Sequence, residues 1–444
     1  MLSRSLGLVD ATALVVGIII GASIFVQPSV ITGTVPTLGA VYAVWIVSGV
    51  LTLFGALIAA ELASAFPSAG GVYVFLREAF SPGVAFLWGW AMFWTMHTGI
   101  IAAIAMVFAR YVSFFVPVGA AGLRLIAVGA IIVLSAVNYR GVRSGSAVQT
   151  SVTLLKVVAI LLIIVVAFAL GPREAVTPPS SGVADQVGGL TAHAFALALV
   201  AGLFAFGGWH MVTYAAEETR NPERTIHRAL LAGVTIVTVC YIALNGAYFH
   251  VLSSHAIATS PRVAADAADA VLGHGGAAMM SALVVLSTFG ALNGVILAGP
   301  RAYLAMARDG VFWSWAGAVH PTFHVPHRAT LLQGAWAVVL VSTGTYGVLF
   351  TRVVYTEWIF FALMAVGLLR LRRKPSYAPL VKVPGYPYVP IVFIASSLYV
   401  VANQLVSDPG NSAIGILFVL AGWPVFQFLA RRSRTLAPNA ADAD

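Results

Sequence analysis

The sequence predicts an all-α integral membrane protein of twelve transmembrane helices, and three observations carry that expectation. Of the 444 residues, 60% are hydrophobic and only 9% are charged, against about 25% charged in an ordinary soluble domain. The apolar residues gather into runs close to the ~20 residues needed to cross a bilayer as a helix. Lys and Arg fall mostly on one side of those runs. This composition excludes an ordinary cytosolic enzyme, a disordered chain and most nucleic-acid binders. One cysteine, Cys240, excludes an intramolecular disulfide framework and any Cys-based metal site. Ten histidines are spread along the chain without an HExxH motif, so neither a metal-centred enzyme nor a cofactor is expected.

The candidate spans lie near 9–32, 39–64, 84–115, 121–138, 147–169, 190–215, 227–252, 277–305, 329–350, 353–371, 387–406 and 412–430. The first has no small-residue cleavage site and is longer than a signal-peptide core, so it reads as a permanent helix. The stretches between runs are short, which predicts a single membrane domain over 1–444 with a short tail at 431–444. With the N-terminus inside, the inner segments hold 18 basic residues: Arg4, Arg77, Arg140, Arg143, Arg220, Arg224, Arg228, Arg301, Arg308, Arg328, Arg370, Arg372, Arg373, Lys374, Lys382, Arg431, Arg432 and Arg434. The outer ones hold five: Arg110, Arg124, Arg173, Arg262 and Arg352. The positive-inside rule then puts both termini in the cytoplasm of a multi-pass cell-membrane protein. It also explains the net charge of +9 as topological, with no nucleic-acid partner. The basic run at 370–374 can also meet anionic lipid headgroups.

Two spans carry glycine-rich interruptions. Span 1 contains Gly17-Ile18-Ile19-Ile20-Gly21-Ala22-Ser23-Ile24-Phe25 and then Pro28. Span 6 contains Gly202-Leu203-Phe204-Ala205-Phe206-Gly207-Gly208-Trp209-His210. Glycine weakens helix locally, and unwound backbone at membrane depth is tolerated only where it lines a cavity or meets a ligand. The competing reading is close helix packing through small residues. The interruptions lie five spans apart, and an odd separation turns a second repeat upside down. This predicts five-plus-five inverted repeats, about 9–169 and 190–371, with two extra C-terminal helices at about 387–430. Secondary transporters use that architecture, with the site at the broken helices.

Half-helix N-termini offer free N–H groups to a carboxylate, and half-helix C-termini offer free carbonyls to an ammonium. A ligand carrying both groups close together is an α-amino acid. Neither break contains Asp, Glu, Lys or Arg, so peptide groups would hold the zwitterion and the ligand's side chain would meet apolar walls. Phe204, Phe206 and Trp209 are candidates for that wall, with lipid-facing or packing roles as the alternative.

Lys156 lies in the body of span 5. An ionisable group there is a functional candidate, either as a proton carrier or as a fixed cation that holds helices together. Glu61 and Glu357 sit near helix ends, where solvated or helix-pairing roles are expected. The cluster Glu217-Glu218-Thr219-Arg220-Asn221-Pro222-Glu223-Arg224 could pair with Arg77 or Arg140 as an inner gate, or be a plain solvated loop. His97 and His210 fall inside spans; His210 follows the second break and is a candidate for ligand contact.

Together these segments resemble the amino acid–polyamine–organocation superfamily, and within it the L-type amino acid transporter light chains and their prokaryotic relatives. The residues carrying the resemblance are the span 1 segment Gly17 to Phe25, Glu61-Leu62-Ala63 through Pro67-Ser68-Ala69-Gly70-Gly71-Val72-Tyr73, and the span 6 segment Gly202 to Trp209 through Glu217-Glu218-Thr219-Arg220-Asn221-Pro222. Phe289-Gly290-Ala291-Leu292-Asn293-Gly294 and Val383-Pro384-Gly385-Tyr386-Pro387 add to it. The resemblance implies a LeuT-like inverted-repeat fold and amino acid transport by alternating access. By position, Ile20, Gly21, Ala22 and Ser23 would meet the carboxylate through N–H groups, and the carbonyls around Phe204, Ala205 and Gly207 would take the ammonium. Phe204 matches the family's gating aromatic. Lys156 matches a span 5 lysine that stands where sodium sits in sodium-coupled relatives, and Tyr241 a span 7 tyrosine linked to it. The chain departs from such relatives at Ser23, often Gly, and at His210, often Asn. It also lacks the extracellular cysteine that tethers a heavy-chain partner, so no disulfide-linked heavy chain is expected.

The sequence therefore reads as a permease for neutral L-amino acids, working by proton symport or amino acid exchange; its partners are the substrate, the lipid bilayer and, for symport, protons. An amine or polyamine antiporter would want acidic residues in the breaks. A channel would show pore-lining rings from an oligomer, a sensor an appended soluble domain, and a membrane enzyme a nucleophile or metal constellation.

Overall fold

The structure, a computed structural model, describes residues 2–21, 23–35, 37–170, 190–260, 262–344 and 355–436. Ala22, Arg173, Arg352, the last part of predicted span 9, the start of span 10 and tail residues 437–444 lie outside the described residues. The described residues are helical with no named strand, and one isolated parallel bridge joins Leu6 to Thr219.

Nine described segments are long and apolar enough to cross a membrane: Leu38–Ala65, Pro82–Val112, Ala120–Tyr139, Val142–Leu170, Ala192–Glu218, Pro222–Val251, Gly276–Arg308, Tyr388–Ser407 and Pro409–Arg431. Each matches a predicted run to within a few residues. The three remaining runs are shorter among the described residues. Span 1 divides into α1 (Leu8–Ile19) and α2 (Gln27–Thr34), and spans 9 and 10 are represented by His327–Thr343 and Thr356–Leu371.

Local chemistry sets the helix ends. The next helix, α3 (Leu38–Ala65), starts where the Thr37 side chain accepts from the amide of Ala40. It stops at Phe66, which precedes Pro67 and is pushed out of helical backbone. A two-turn helix, α4 (Val72–Ala79), follows; no apolar run announced it. Ser81 caps α5 (Pro82–Ala91), with proline at its first position. A π segment at Met92–Met96 joins it to α6 (His97–Val112). Then come α7 (Ala120–Tyr139), α8 (Val142–Leu170), α9 (Ala192–Ala205) and α10 (Pro222–Val251). Two short helices, α11 (Ser254–Thr259) and α12 (Val263–Leu272), precede α13 (Gly276–Ala298), α14 (Pro300–Arg308), α15 (His327–Thr343) and α16 (Thr356–Leu371). The last three are α17 (Tyr388–Ser407), α18 (Pro409–Leu420) and α19 (Gly422–Leu436).

At the centre, α1 packs against α8, α10 and α13, while α3 lies along α10. Around this core, α7, α8 and the C-terminal helices turn leucines and valines outward, among them Leu125, Leu154, Leu162, Val165 and Leu417. A rim of exposed aliphatic side chains suits hydrocarbon, where apolar surface needs no protein partner.

Candidate functional site

Both glycine-rich spans are interrupted, as their sequences predict. In span 1, the amide of Ile20 still donates to Val16 O at 2.9 Å, but Gly21 N turns back to Ile19 O at 2.8 Å, and helical bonding stops. The chain resumes through a 3₁₀ turn at Ser23–Phe25 before α2. In span 6, Phe206 N donates to Leu203 O and Gly207 N to Phe204 O, tightening the end of α9. Gly208 then takes φ +91°, a left-handed conformation that costs an L-residue about 1–2 kcal/mol. A β-carbon there would also run into the side chain of Ile18. The span continues as a 3₁₀ segment, Trp209–Glu218.

Side chains from three helices hold the first break from behind. Lys156 on α8 is fully buried. Its ammonium donates to Gly17 O and Ile20 O at 2.7 Å each, with Ser287 O at 3.4 Å. The Ser287 hydroxyl on α13 reaches Ile20 O at 3.0 Å and Gly21 O at 3.1 Å. On α10, the Tyr241 hydroxyl lies 3.0 Å from Ile19 O and 3.1 Å from Ala205 O, so one phenol spans both breaks. The carbonyls released by unwinding α1 are thus met by protein donors, as buried carbonyls require.

In front of the breaks lies a cavity of about 210 Å³. Of the residues expected to meet ligand, Gly21, Ser23, Phe204, Ala205, Gly207 and Trp209 line it. Ile20 does not; it is fully buried, with its carbonyl engaged by Lys156 and Ser287. His210 also lies outside the wall, buried with its ring 4.8 Å from that of Phe361 and 5.5 Å from that of Tyr214. Phe206, expected in the wall, instead packs between Trp45 and Tyr241. His210 follows the turn at Gly208, which redirects it from the direction a continuous helix would give, whereas Phe206 ends α9 before that turn and keeps its packing face. The rest of the wall comes from α6, through Ile100, Ile104 and Val107, and from α16, through Glu357, Trp358 and Phe361.

Glu357 is the functional candidate that sequence reasoning placed elsewhere. Expected in a solvated or helix-pairing role, it faces His210 Nε2 on span 6 at 3.5 Å, beyond the usual range of an N–H···O bond. It also borders the cavity, which its place in a separate helix did not reveal. Its intramembrane charge was the available signal. Glu61 is a plain helix-pairing residue: buried, it accepts from Arg372 and from the amide of Val383.

Ion pairs close the structure where the N-terminal segment meets the end of span 6. Glu218 and Arg301 form a buried two-pronged pair at 2.8 and 3.0 Å. Glu217 pairs with Arg308 at 2.7 Å, and Arg77 with Asp309, which also accepts from Tyr73 at 2.7 Å. Ser5 and Leu6 amides donate to Glu218 O, and Arg220 N to Leu6 O. The acidic cluster therefore pairs with Arg301 and Arg308 rather than with Arg77 or Arg140. Helix α14 brings those two arginines alongside, a proximity that sequence spacing does not encode. On the cavity side, Phe204 is 45% exposed.

Comparison with known proteins identifies the family. The amino acid permease family model matches residues 6–427. The serine/threonine exchanger SteT of Bacillus subtilis (strain 168) is 32% identical over 436 residues, covering 97% of this chain and 98% of that one. The b(0,+)-type amino acid transporter 1 of Mus musculus is 32% identical over 438 residues, with 96% and 88% coverage. The cystine/glutamate transporter of Homo sapiens is 30% identical over 432 residues, with 96% and 85% coverage. Each of these relatives is named for transport or exchange rather than for a chemical conversion. With a family match over nearly its whole length and two interrupted helices meeting at a cavity, this chain belongs to the amino acid permease family of the amino acid–polyamine–organocation superfamily.

Proposed function

We propose that the protein is a secondary transporter that exchanges neutral L-amino acids across the cytoplasmic membrane by alternating access. The observation that carries this reading is the cavity of about 210 Å³ lined by residues of both interrupted helices and by mostly apolar side chains. The zwitterion lies between them, its carboxylate toward the amide of Ser23, since the Gly21 amide already donates to Ile19 O, and its ammonium toward the carbonyls that end α9. Of the latter, Ala205 O already accepts from Tyr241, so the ammonium uses its second lone pair or the neighbouring carbonyls. Phe204 is the lid. Its 45% exposure, together with the ion pairs at the opposite end, supports an outward-open state. Twelve spans in two inverted repeats, with both termini cytoplasmic, is the architecture this reading carries.

Exchange is favoured over proton symport by the surroundings of Lys156. Its ammonium meets three carbonyls, two at 2.7 Å and one at 3.4 Å, which suits a fixed cation bracing the break. A relative named as an exchanger supports the same view. Substrate drives the cycle by binding the outward and inward states with different affinity. An amine antiporter is the second reading, favoured by one observation, the Glu357 carboxyl group in the wall.

The test is uptake of a labelled amino acid panel and a diamine into proteoliposomes, with and without internal amino acid and with and without a pH gradient. Uptake that needs internal amino acid is expected. Uptake that follows the pH gradient from empty vesicles would establish symport, and uptake of the diamine alone would establish the antiporter.

A further inference from the structure

We propose that Glu357 reads the ligand's side chain, selecting amino acids that carry a hydrogen-bond donor a few atoms from Cα over aliphatic isosteres. This rests on the transport reading above and adds a substrate class to it.

The wall is otherwise apolar where the ligand's side chain would lie: Ile100, Ile104 and Val107 on one helix, Trp358 and Phe361 on another. Glu357 is the exception, with its side chain only 14% exposed. The other two buried glutamates, Glu61 and Glu218, each meet an arginine in a two-pronged pair. Among the described residues, Glu357 has no such partner. The contact recorded for its carboxyl group is His210 Nε2 at 3.5 Å, beyond the usual range of an N–H···O bond. The other ring nitrogen of His210, Nδ1, is likewise buried without a partner among the described residues. Rings hold this arrangement in register. Phe361, one turn along α16 from Glu357, packs against Trp209 at 5.3 Å and His210 at 4.8 Å, which fixes α16 against span 6 and keeps the backbone of Glu357 beside the cavity.

A polar group lining a cavity becomes costly when a ligand covers it and leaves it unsatisfied. An aliphatic side chain filling the cavity would seal Glu357 against carbon. A hydroxyl or ammonium in the same place would donate to it and remove that cost. Discrimination of this kind is strong because the penalty for the wrong ligand adds to the gain from the right one.

The experiment is a competition series in proteoliposomes using isosteric pairs. Threonine against valine tests a hydroxyl donor; 2,4-diaminobutyrate against norvaline tests an ammonium. Wild-type protein should favour the donor-bearing member of at least one pair by about tenfold or more in kcat/KM. Glu357→Leu should bring both ratios toward one. Glu357→Gln keeps an acceptor oxygen without charge, so it should retain part of a threonine preference and lose a diaminobutyrate preference. Equal handling of both pairs by the wild-type protein overturns the proposal without recourse to any variant. So does a preference that survives Glu357→Leu. Absence of uptake of every amino acid would instead remove the transport reading itself.

Discussion

Replacing Lys156 with methionine keeps the unbranched side chain as far as lysine Cε and deletes the ammonium. In the native structure that group donates to Gly17 O and Ile20 O at 2.7 Å each. Hydrogen bonds from a charged donor contribute about 1.5–3 kcal/mol each, so the two short ones set a gross loss of roughly 3–6 kcal/mol. Methionine also avoids burying a charge, whose effective desolvation cost is several kcal/mol. The two terms largely offset each other in global stability, and the imbalance falls on the break. Ile20 O retains the Ser287 hydroxyl at 3.0 Å, whereas Gly17 O loses its lysine donor. An unsatisfied buried carbonyl costs about 1–3 kcal/mol, and winding α1 onward is the simplest way to give it an N–H partner. Lys156→Met should therefore fold and melt within several degrees of the native protein while losing exchange. At 1.4 kcal/mol per factor of ten, the expected loss is about five- to 150-fold. The assay is amino acid exchange in proteoliposomes at matched protein content, beside a thermal melt in detergent. Exchange within twofold of wild type would refute the bracing argument. A wild-type dependence on pH gradient that vanishes in Lys156→Met, with gradient-free exchange intact, would make Lys156 a proton carrier.

Tyr241→Phe removes the hydroxyl shared by Ile19 O and Ala205 O; exchange should fall by about tenfold with little change in the melt, since one hydrogen bond is worth about 0.5–1.5 kcal/mol. Gly208→Ala forces φ +91° on an L-residue and drives a β-carbon into Ile18; exchange should be lost, and adding Ile18→Ala should recover part of the melting temperature by making room. Arg301→Gln leaves Glu218 charged and buried without its partner, and should cost about 3–5 kcal/mol in an unfolding titration. The more exposed Arg308–Glu217 pair is worth about 0–1 kcal/mol, so Arg308→Gln should melt near the native temperature. Equal effects of the two arginine variants would contradict the burial argument.

The membrane class, nine of the predicted spans and the two interruptions were legible in the sequence, because each depends on local chemistry. About 20 apolar residues in a row leave a helix few places but the bilayer, and Gly207-Gly208 or Gly21 in such a run marks where helix gives way. Lys156 was legible as a charge within a span. Its three acceptors were not, since Gly17, Ile20 and Ser287 come from two other helices. The small helices α4, α11 and α12 escaped notice because they are too short for an apolar run to announce them.

What only the tertiary structure decided is which side of each turn faces the cavity and which charges meet. Ile20 and His210 have the right sequence positions, yet the turns point one toward Lys156 and the other behind Glu357. Glu218 found Arg301, 83 residues away, rather than Arg77 or Arg140. Local sequence determines where a helix must stop, because hydrogen bonding and glycine's conformational freedom act over one or two turns. The direction of the chain beyond the stop, and the partners it meets there, depend on how helices far apart in sequence pack together, and that appears only in the folded molecule.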